Sequence, residues 1–282
     1  MGVVTRRGTV RVDGGRIAFT EYGGGTRPLV LIHGLMLSQR MHAANAEVLA
    51  ERGHRVITVD LLGHGRASQP RDMTLYSMPQ FAEQVIALLD HLAIGEAVIG
   101  GTSLGANVTL EVAVHHPARV RAMVVEMPVL DNALPAAAWT FVPLMTFCTM
   151  AEPLARGLSV AARALPSRLL PTWLDVVADV ARRDPRPSGA LLQGLLYGQV
   201  APHRDERRRI TAPALVIGHR RDPIHPFSDS DTLVRELPDA TLVQASSILE
   251  LRLRPQRLLA VIDQFLQEQW AARRQGRRAR AS

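Results

Sequence analysis

Gly101-Thr102-Ser103-Leu104-Gly105 constrains this 282-residue chain more than any other stretch. It follows the apolar run Ala97–Gly100, which reads as a buried strand, and it opens a run from Leu104 to His115 that reads as a helix. A strand that turns directly into a helix has almost no room at the junction. Side chains beside the serine would collide with neighbouring backbone, so glycine on both sides points to a sharp, strained turn. Such a turn lifts the Ser103 hydroxyl above the sheet. It also aims the first N–H groups of the helix at the same point, where developing negative charge would be stabilised.

The flanking pattern extends this unit into a sheet. Thr9–Thr20 reads as two short strands around the turn Asp13-Gly14-Gly15. Leu29–Ile32, Arg55–Val59, Met123–Val125, Ala214–Gly218 and Thr241–Val243 are further apolar strands. Met78, Phe81, Ala82, Val85, Leu88, Leu89 and Leu92 recur at helical spacing, and helices are also expected near Asp229–Leu237 and around Leu258–Leu266. Alternating strands and helices imply an α/β domain with a mostly parallel sheet covered on both faces. The alternation lapses over 131–205, which is rich in helix formers and interrupted by Pro135, Pro143, Pro153, Pro166 and Pro171. The expected organisation is therefore a core over 1–130, a helical cap over 131–205, the rest of the core over 206–271 and an unstructured basic tail over 272–282.

Composition excludes several classes. All basic residues are arginine, and Arg273, Arg274, Arg277, Arg278 and Arg280 of the tail account for most of the net charge of +7. The remainder is close to neutral, so no nucleic-acid partner is expected. The single Cys148 rules out an internal disulfide or a multi-cysteine metal site. No phosphate loop, metal-ligand spacing or cofactor motif is present, and no metal or cofactor is expected. Asn132–Ala151 is uncharged and about the 20 residues a spanning helix needs. Pro135 and Pro143 should break such a helix, so a buried or lid segment is expected instead of a membrane span. With no apolar leader, the chain reads as cytoplasmic. Its expected partner is a small-molecule substrate, and nothing in the sequence fixes an oligomeric state.

Over roughly Arg16–Gln269 the chain resembles the α/β-hydrolase family, in its serine-nucleophile branch. His33-Gly34 is similar to the oxyanion-loop motif, Asp60–Gly65 to the second signature, and Gly101–Gly105 to the nucleophile elbow; Ala67 stands where a serine is common. The resemblance implies Ser103 as nucleophile, the N–H groups of Leu35 and Leu104 as oxyanion donors, and Asp222 as the acid. His33 and His64 read as structural, pinning loops by hydrogen bonds, with His33 also a candidate support to the site. A serine at the elbow argues against epoxide-hydrolase or haloalkane-dehalogenase chemistry. The cap residues Trp139, Phe141, Met145, Phe147, Met150, Trp173 and Tyr197 suggest a pocket for an apolar small molecule.

One part of the pattern is missing. A serine hydroxyl needs a base near neutral pH, and the family supplies a histidine after the last strand. Ala245–Pro255 contains none, and Ser246 or Ser247 stands in its place. Three explanations remain open. His225, three residues past Asp222, could supply the base from a different strand end, with His219 a weaker candidate. Glu250 could act as base or orienter, unless it simply pairs with Arg252 or Arg254; Glu126 could replace Asp222 as the acid. Thirdly, the site could be non-hydrolytic, a ligand-binding or cyclase-like relative. The leading expectation is a hydrolase for a small carboxylic ester or related acyl compound.

Overall fold

In the computed structural model, residues 3–164 and 172–279 are described; Pro166, Pro171 and Arg280 lie outside them. The N-terminal hairpin pairs β1 (Thr5–Val12) with β2 (Gly15–Tyr22), and the turn between them places Gly14 at φ 80°. Six more strands follow: β3 (Pro28–Ile32), β4 (Arg55–Asp60), β5 (Ala97–Thr102), β6 (Val120–Glu126), β7 (Ala214–His219) and β8 (Ala240–Ala245). Their order in the sheet is β1-β2-β4-β3-β5-β6-β7-β8, with β2 antiparallel to both neighbours and β3 to β8 mutually parallel. The C-terminal ends of β3 to β8 therefore share one edge, where loops carrying functional groups collect in parallel α/β sheets.

Both faces are covered because the strands are apolar on both faces. In β3, Val30 and Ile32 join one cluster while Leu29 and Leu31 join the other, the alternation that a pleated strand imposes. On the first face pack α2 (Met78–His91) and α3 (Leu104–His115), through Phe81, Val85, Leu89, Val108 and Val112. On the second pack α1 (Ala43–Glu51) and the last helix, α11 (Gln256–Ala279), through Leu49, Leu258, Ile262 and Leu266. Each such side chain contributes roughly 1.5–3 kcal/mol by leaving water. The run α11 makes to Ala279 enters the 272–282 stretch expected to be unstructured, because its alanines, arginines and glutamine continue the helix that Leu266 and Trp270 anchor.

The insertion between β6 and β7 holds α4 (Leu134–Met150), α5 (Glu152–Ala164), α6 (Thr172–Ala181), α7 (Pro185–Tyr197) and the short α8 (Arg204–Arg207). The expectation that Pro143 would break a helix fails: it lies inside α4. Thr140, Thr146 and Thr149 turn their hydroxyls back onto the carbonyls of Ala136, Val142 and Met145, each at 2.9 Å. The uncharged stretch is not a buried segment either, since Cys148 is its one buried helical residue. Phe141, Leu144 and Met145 lean on the core while Trp139 and Met150 face solvent. Among the described residues no single helix is long and apolar enough to cross a membrane; α4 and α5 would be together, but the chain bends by 102° between them. Two short helices, α9 (Phe227–Glu236) and α10 (Glu250–Leu253), complete the chain between β7 and α11.

Candidate active site

Ser103 ends β5 and precedes α3 with φ 55° and ψ −111°, a conformation that costs a non-glycine residue on the order of 1–3 kcal/mol. Its neighbours show why they are glycines. A Cβ on Gly105 would sit 2.2 Å from the Ile32 carbonyl oxygen, and one on Gly101 would sit 2.5 Å from the Gly105 carbonyl carbon. The Ser103 N–H is held by the Glu126 carbonyl at 2.9 Å. Met36, on the loop after β3, and Met127, directly after β6, also have positive φ, 64° and 56°. Leu104 is the first residue of α3, and its N–H has no partner within the helix. Leu35 follows Gly34 on the loop after β3, and both residues line the same cavity as Ser103.

The loop after β7 brings an imidazole to the Ser103 hydroxyl. Nε2 of His225 lies 2.8 Å from Ser103 Oγ, and Nδ1 lies 2.9 Å from Asp222 Oδ2. The partners set the tautomer: Nδ1–H donates to the carboxylate, and Nε2 accepts from the serine hydroxyl. The two oxygens of Asp222 divide the work. Oδ1 accepts the backbone N–H groups of Ile224 (2.8 Å) and His225 (2.9 Å), which fixes the loop, and Oδ2 is left to orient the imidazole. Burial pushes the Asp222 pKa up, but the bonds from His225 and Ile224 outweigh it and hold the carboxyl below its ordinary value. Asp222 and His225 thus ride on one short loop, at i and i+3.

The other expected residues lie elsewhere. Glu126 does not reach His225. Its carboxylate, buried between β5 and β7, accepts from the Thr102 hydroxyl and from Arg252 Nη2 at 2.7 Å, and its second oxygen faces His219 Nε2 at 3.6 Å. Burial raises its pKa, but Arg252, His219 and Thr102 together keep it well below the usual carboxylate range, so it is ionised. Glu250 is neither base nor orienter, and its partner is not Arg252 or Arg254. It accepts from the Ser246 hydroxyl at 2.6 Å and from Arg257 Nε at 2.7 Å, and Arg257 above all lowers its pKa to about 2. His219 donates from Nδ1 to the Ser247 carbonyl at 2.9 Å. His33 is fully buried; it accepts the Leu61 N–H at 3.2 Å and donates to the Gly34 carbonyl at 3.0 Å, tying the loop that carries Leu35 to the end of β4. Its neutral form is favoured by burial.

Above Ser103 opens a cavity of about 540 Å³, lined mostly by Leu35, Leu37, Met41, Met127, Ile248 and other apolar residues. Of the cap residues expected there, Phe141 lines it and Met145 packs against the core. Trp139, Met150 and Tyr197 are 85%, 83% and 69% exposed, on the outer surface of the cap. The side chain of Trp173 lies outside the described residues. A cleft of equal volume at the opposite ends of the strands, between Pro28, Gly95 and Trp270, is lined by no serine, cysteine or histidine. Arg252 and Asn45 also line the active-site cavity, and sequence reading missed both. No spacing signals them, because Arg252 and Glu126 are brought together only by the sheet. Among the described residues no group of three or more histidine, cysteine or carboxylate side chains could hold a metal ion.

Residues 27–247 match the model of a family described by its alpha/beta hydrolase fold. The chain belongs to the α/β-hydrolase family. It is 31% identical over 234 residues to a pimeloyl-[acyl-carrier protein] methyl ester esterase of Nitrosomonas europaea, a match covering 79% of this chain and 88% of that one. A 39% identity to a dihydrolipoyllysine-residue acetyltransferase component of Pseudomonas putida covers 40% of this chain and 30% of the relative, well under two thirds of its length. Among solved structures, the enol-lactonase of Burkholderia xenovorans superposes with a TM-score of 0.76 at 22% identity, covering 92% of this chain and all (100%) of that one; at this identity the likeness is one of fold.

Proposed function

We propose that this protein is a serine hydrolase acting on small carboxylic esters or related acyl compounds. The observation that carries the reading is the hydrogen-bonded line Ser103–His225–Asp222, with 2.8 Å and 2.9 Å links, beneath an apolar cavity. In the first half-reaction Ser103 Oγ attacks the acyl carbon while its proton passes to His225 Nε2. Asp222 stabilises the imidazolium that results and keeps its orientation. The negative charge on the former carbonyl oxygen is met by the N–H groups of Leu35 and Leu104, each donor of this kind being worth about 3–4 kcal/mol in the transition state. Collapse expels the alcohol, which takes the proton from His225, and leaves an acyl-serine. Water then attacks the acyl-serine, giving its proton to His225, and the carboxylic acid departs as Ser103 recovers its hydrogen.

The pairing of Ser103 with a base favours hydrolysis over a ligand-binding or cyclase-like role. The esterase relative, matched over most of its length, acts by its name on a methyl ester, which agrees with the ester class. A fluorophosphonate probe tests the reading. Labelling at Ser103 is expected, slowed strongly in His225→Ala; absence of labelling above the Ser103→Ala background would overturn it.

A further inference from the structure

A serine at positive φ keeps that conformation only when its surroundings hold it from several sides. At Ser103 the backbone is held from β6. Glu126 stands opposite Thr102 in the register of β5 and β6, and its carbonyl accepts the Ser103 N–H at 2.9 Å. The end of β6 is itself fixed, since the Met127 N–H donates to the Ile217 carbonyl of β7 at 3.1 Å. The Glu126 side chain then takes hold of the preceding residue, Thr102, whose hydroxyl donates to Oε2. The same hydroxyl oxygen accepts from Arg252 Nη2 at 2.9 Å, and that nitrogen also donates to Glu126 Oε2 at 2.7 Å. Thr102, Glu126 and Arg252 thus close a triangle of hydrogen bonds beside the nucleophile.

The side chains of Glu126 and Arg252 are only 4% and 15% exposed, so water does not compete for these bonds. The three members come from three segments, β5, β6 and α10, and α10 follows the loop after β8. That loop carries no histidine, yet through Arg252 it still reaches the elbow. His219 ties it to the same carboxylate, facing Glu126 Oε1 at 3.6 Å and donating to the Ser247 carbonyl at 2.9 Å. We infer that Glu126 and Arg252 are positioning residues that act on Ser103 through Thr102, holding the serine hydroxyl where His225 meets it. Neither forms a hydrogen bond with His225 or with the Ser103 hydroxyl, so their influence on rate travels through the chain at 102–103. A loosened elbow displaces the attacking oxygen, and a misplacement of about 1 Å costs on the order of 100-fold in rate.

The inference rests on the serine-hydrolase reading for its effect on rate but not for its effect on the elbow, so both are measured. Thr102→Val keeps the shape and removes the hydroxyl, while Glu126 and Arg252 keep each other and thermal unfolding confirms the fold. With p-nitrophenyl acetate, kcat should fall about 10- to 100-fold. KM should stay within about 3-fold, and the pH midpoint of kcat should not move, because Asp222 and His225 are untouched. Thr102→Ser, which restores the hydroxyl, should recover most of the loss. Glu126→Gln combined with Arg252→Gln replaces the buried ion pair by neutral amides and should also lower kcat; adding Thr102→Val should then cost less than about 3-fold more, because the three act as a unit. Amide hydrogen exchange reads the elbow without catalysis: the segment holding Ser103 should exchange faster in Thr102→Val, with α2 unchanged. An unchanged kcat, a loss confined to KM, losses that multiply independently, or unchanged exchange overturns the positioning role. Faster exchange in a protein that turns over no ester, even unaltered, leaves the brace on the elbow standing and overturns the hydrolase reading instead.

Discussion

Two loops at the C-terminal edge of the sheet each carry a carboxylate that accepts hydrogen bonds from its own segment, and they use it in opposite ways. On the loop after β7, Asp222 gives one oxygen to the loop's own N–H groups and the other to His225, which passes the orientation on to Ser103. On the loop after β8, Glu250 spends both oxygens on Ser246 and Arg257. The first carboxylate has a free lone pair aimed at an imidazole; the second is a closed structural clasp. A carboxylate's place at this edge of the sheet therefore says little by itself. What matters is which acceptor remains once the local backbone and ion pairs are satisfied.

The contrast is broken most severely at the first loop. Ser103→Ala and His225→Ala are each expected to lower kcat for a small ester by roughly 10³- to 10⁶-fold, and to a similar degree when combined, because the two act as a unit. Asp222→Asn should cost on the order of 10³–10⁴-fold, since an amide facing Nδ1 no longer enforces the tautomer that leaves Nε2 as acceptor. Moving the base back tests whether the loops are interchangeable. Ile248→His in the His225→Ala background should recover less than about 10-fold, because Ile248 lies one or two residues past the serines that occupy the histidine's place; recovery to the original rate would show the two loops to be equivalent supports.

Changes at the second loop should be felt as stability. Glu250→Gln is expected to lower unfolding free energy by about 1–3 kcal/mol in urea titration while leaving kcat/KM within about 3-fold. Its pH dependence has a definite sign. The folded pKa of Glu250 lies at about 2 against an ordinary 4.5, so the clasp contributes fully above pH 4.5 and is lost as pH falls toward 2. The acid limb of a stability–pH profile should therefore be shallower in Glu250→Gln. An unchanged limb would remove Glu250 from the set of groups that hold this loop.

Much of the fold was legible because parallel strands buried on both faces leave continuous apolar runs, and the amphipathic α2 repeats at helical spacing. The helix α1 left no such trace: its alanines and mixed polar residues have little periodic contrast, and it became clear only by what it covers. The exposed outer face of α4 was misread because an uncharged sequence looks buried, whereas its threonines satisfy themselves on the helix backbone. In the site, the glycines around Ser103 announced a crowded turn, and Asp222 and His225 stood as candidates by their positions.

The sequence by itself determined the elbow, the sheet and the absence of a histidine after the last strand, because local sterics and apolar patterning are written in consecutive residues. Which side chain meets the Ser103 hydroxyl was decided only by the tertiary structure. His225 is 122 positions from Ser103, and Arg252 is 126 from Glu126. Those encounters depend on how parallel strands bring their C-terminal ends together, and on which hydrogen bonds each loop has already used.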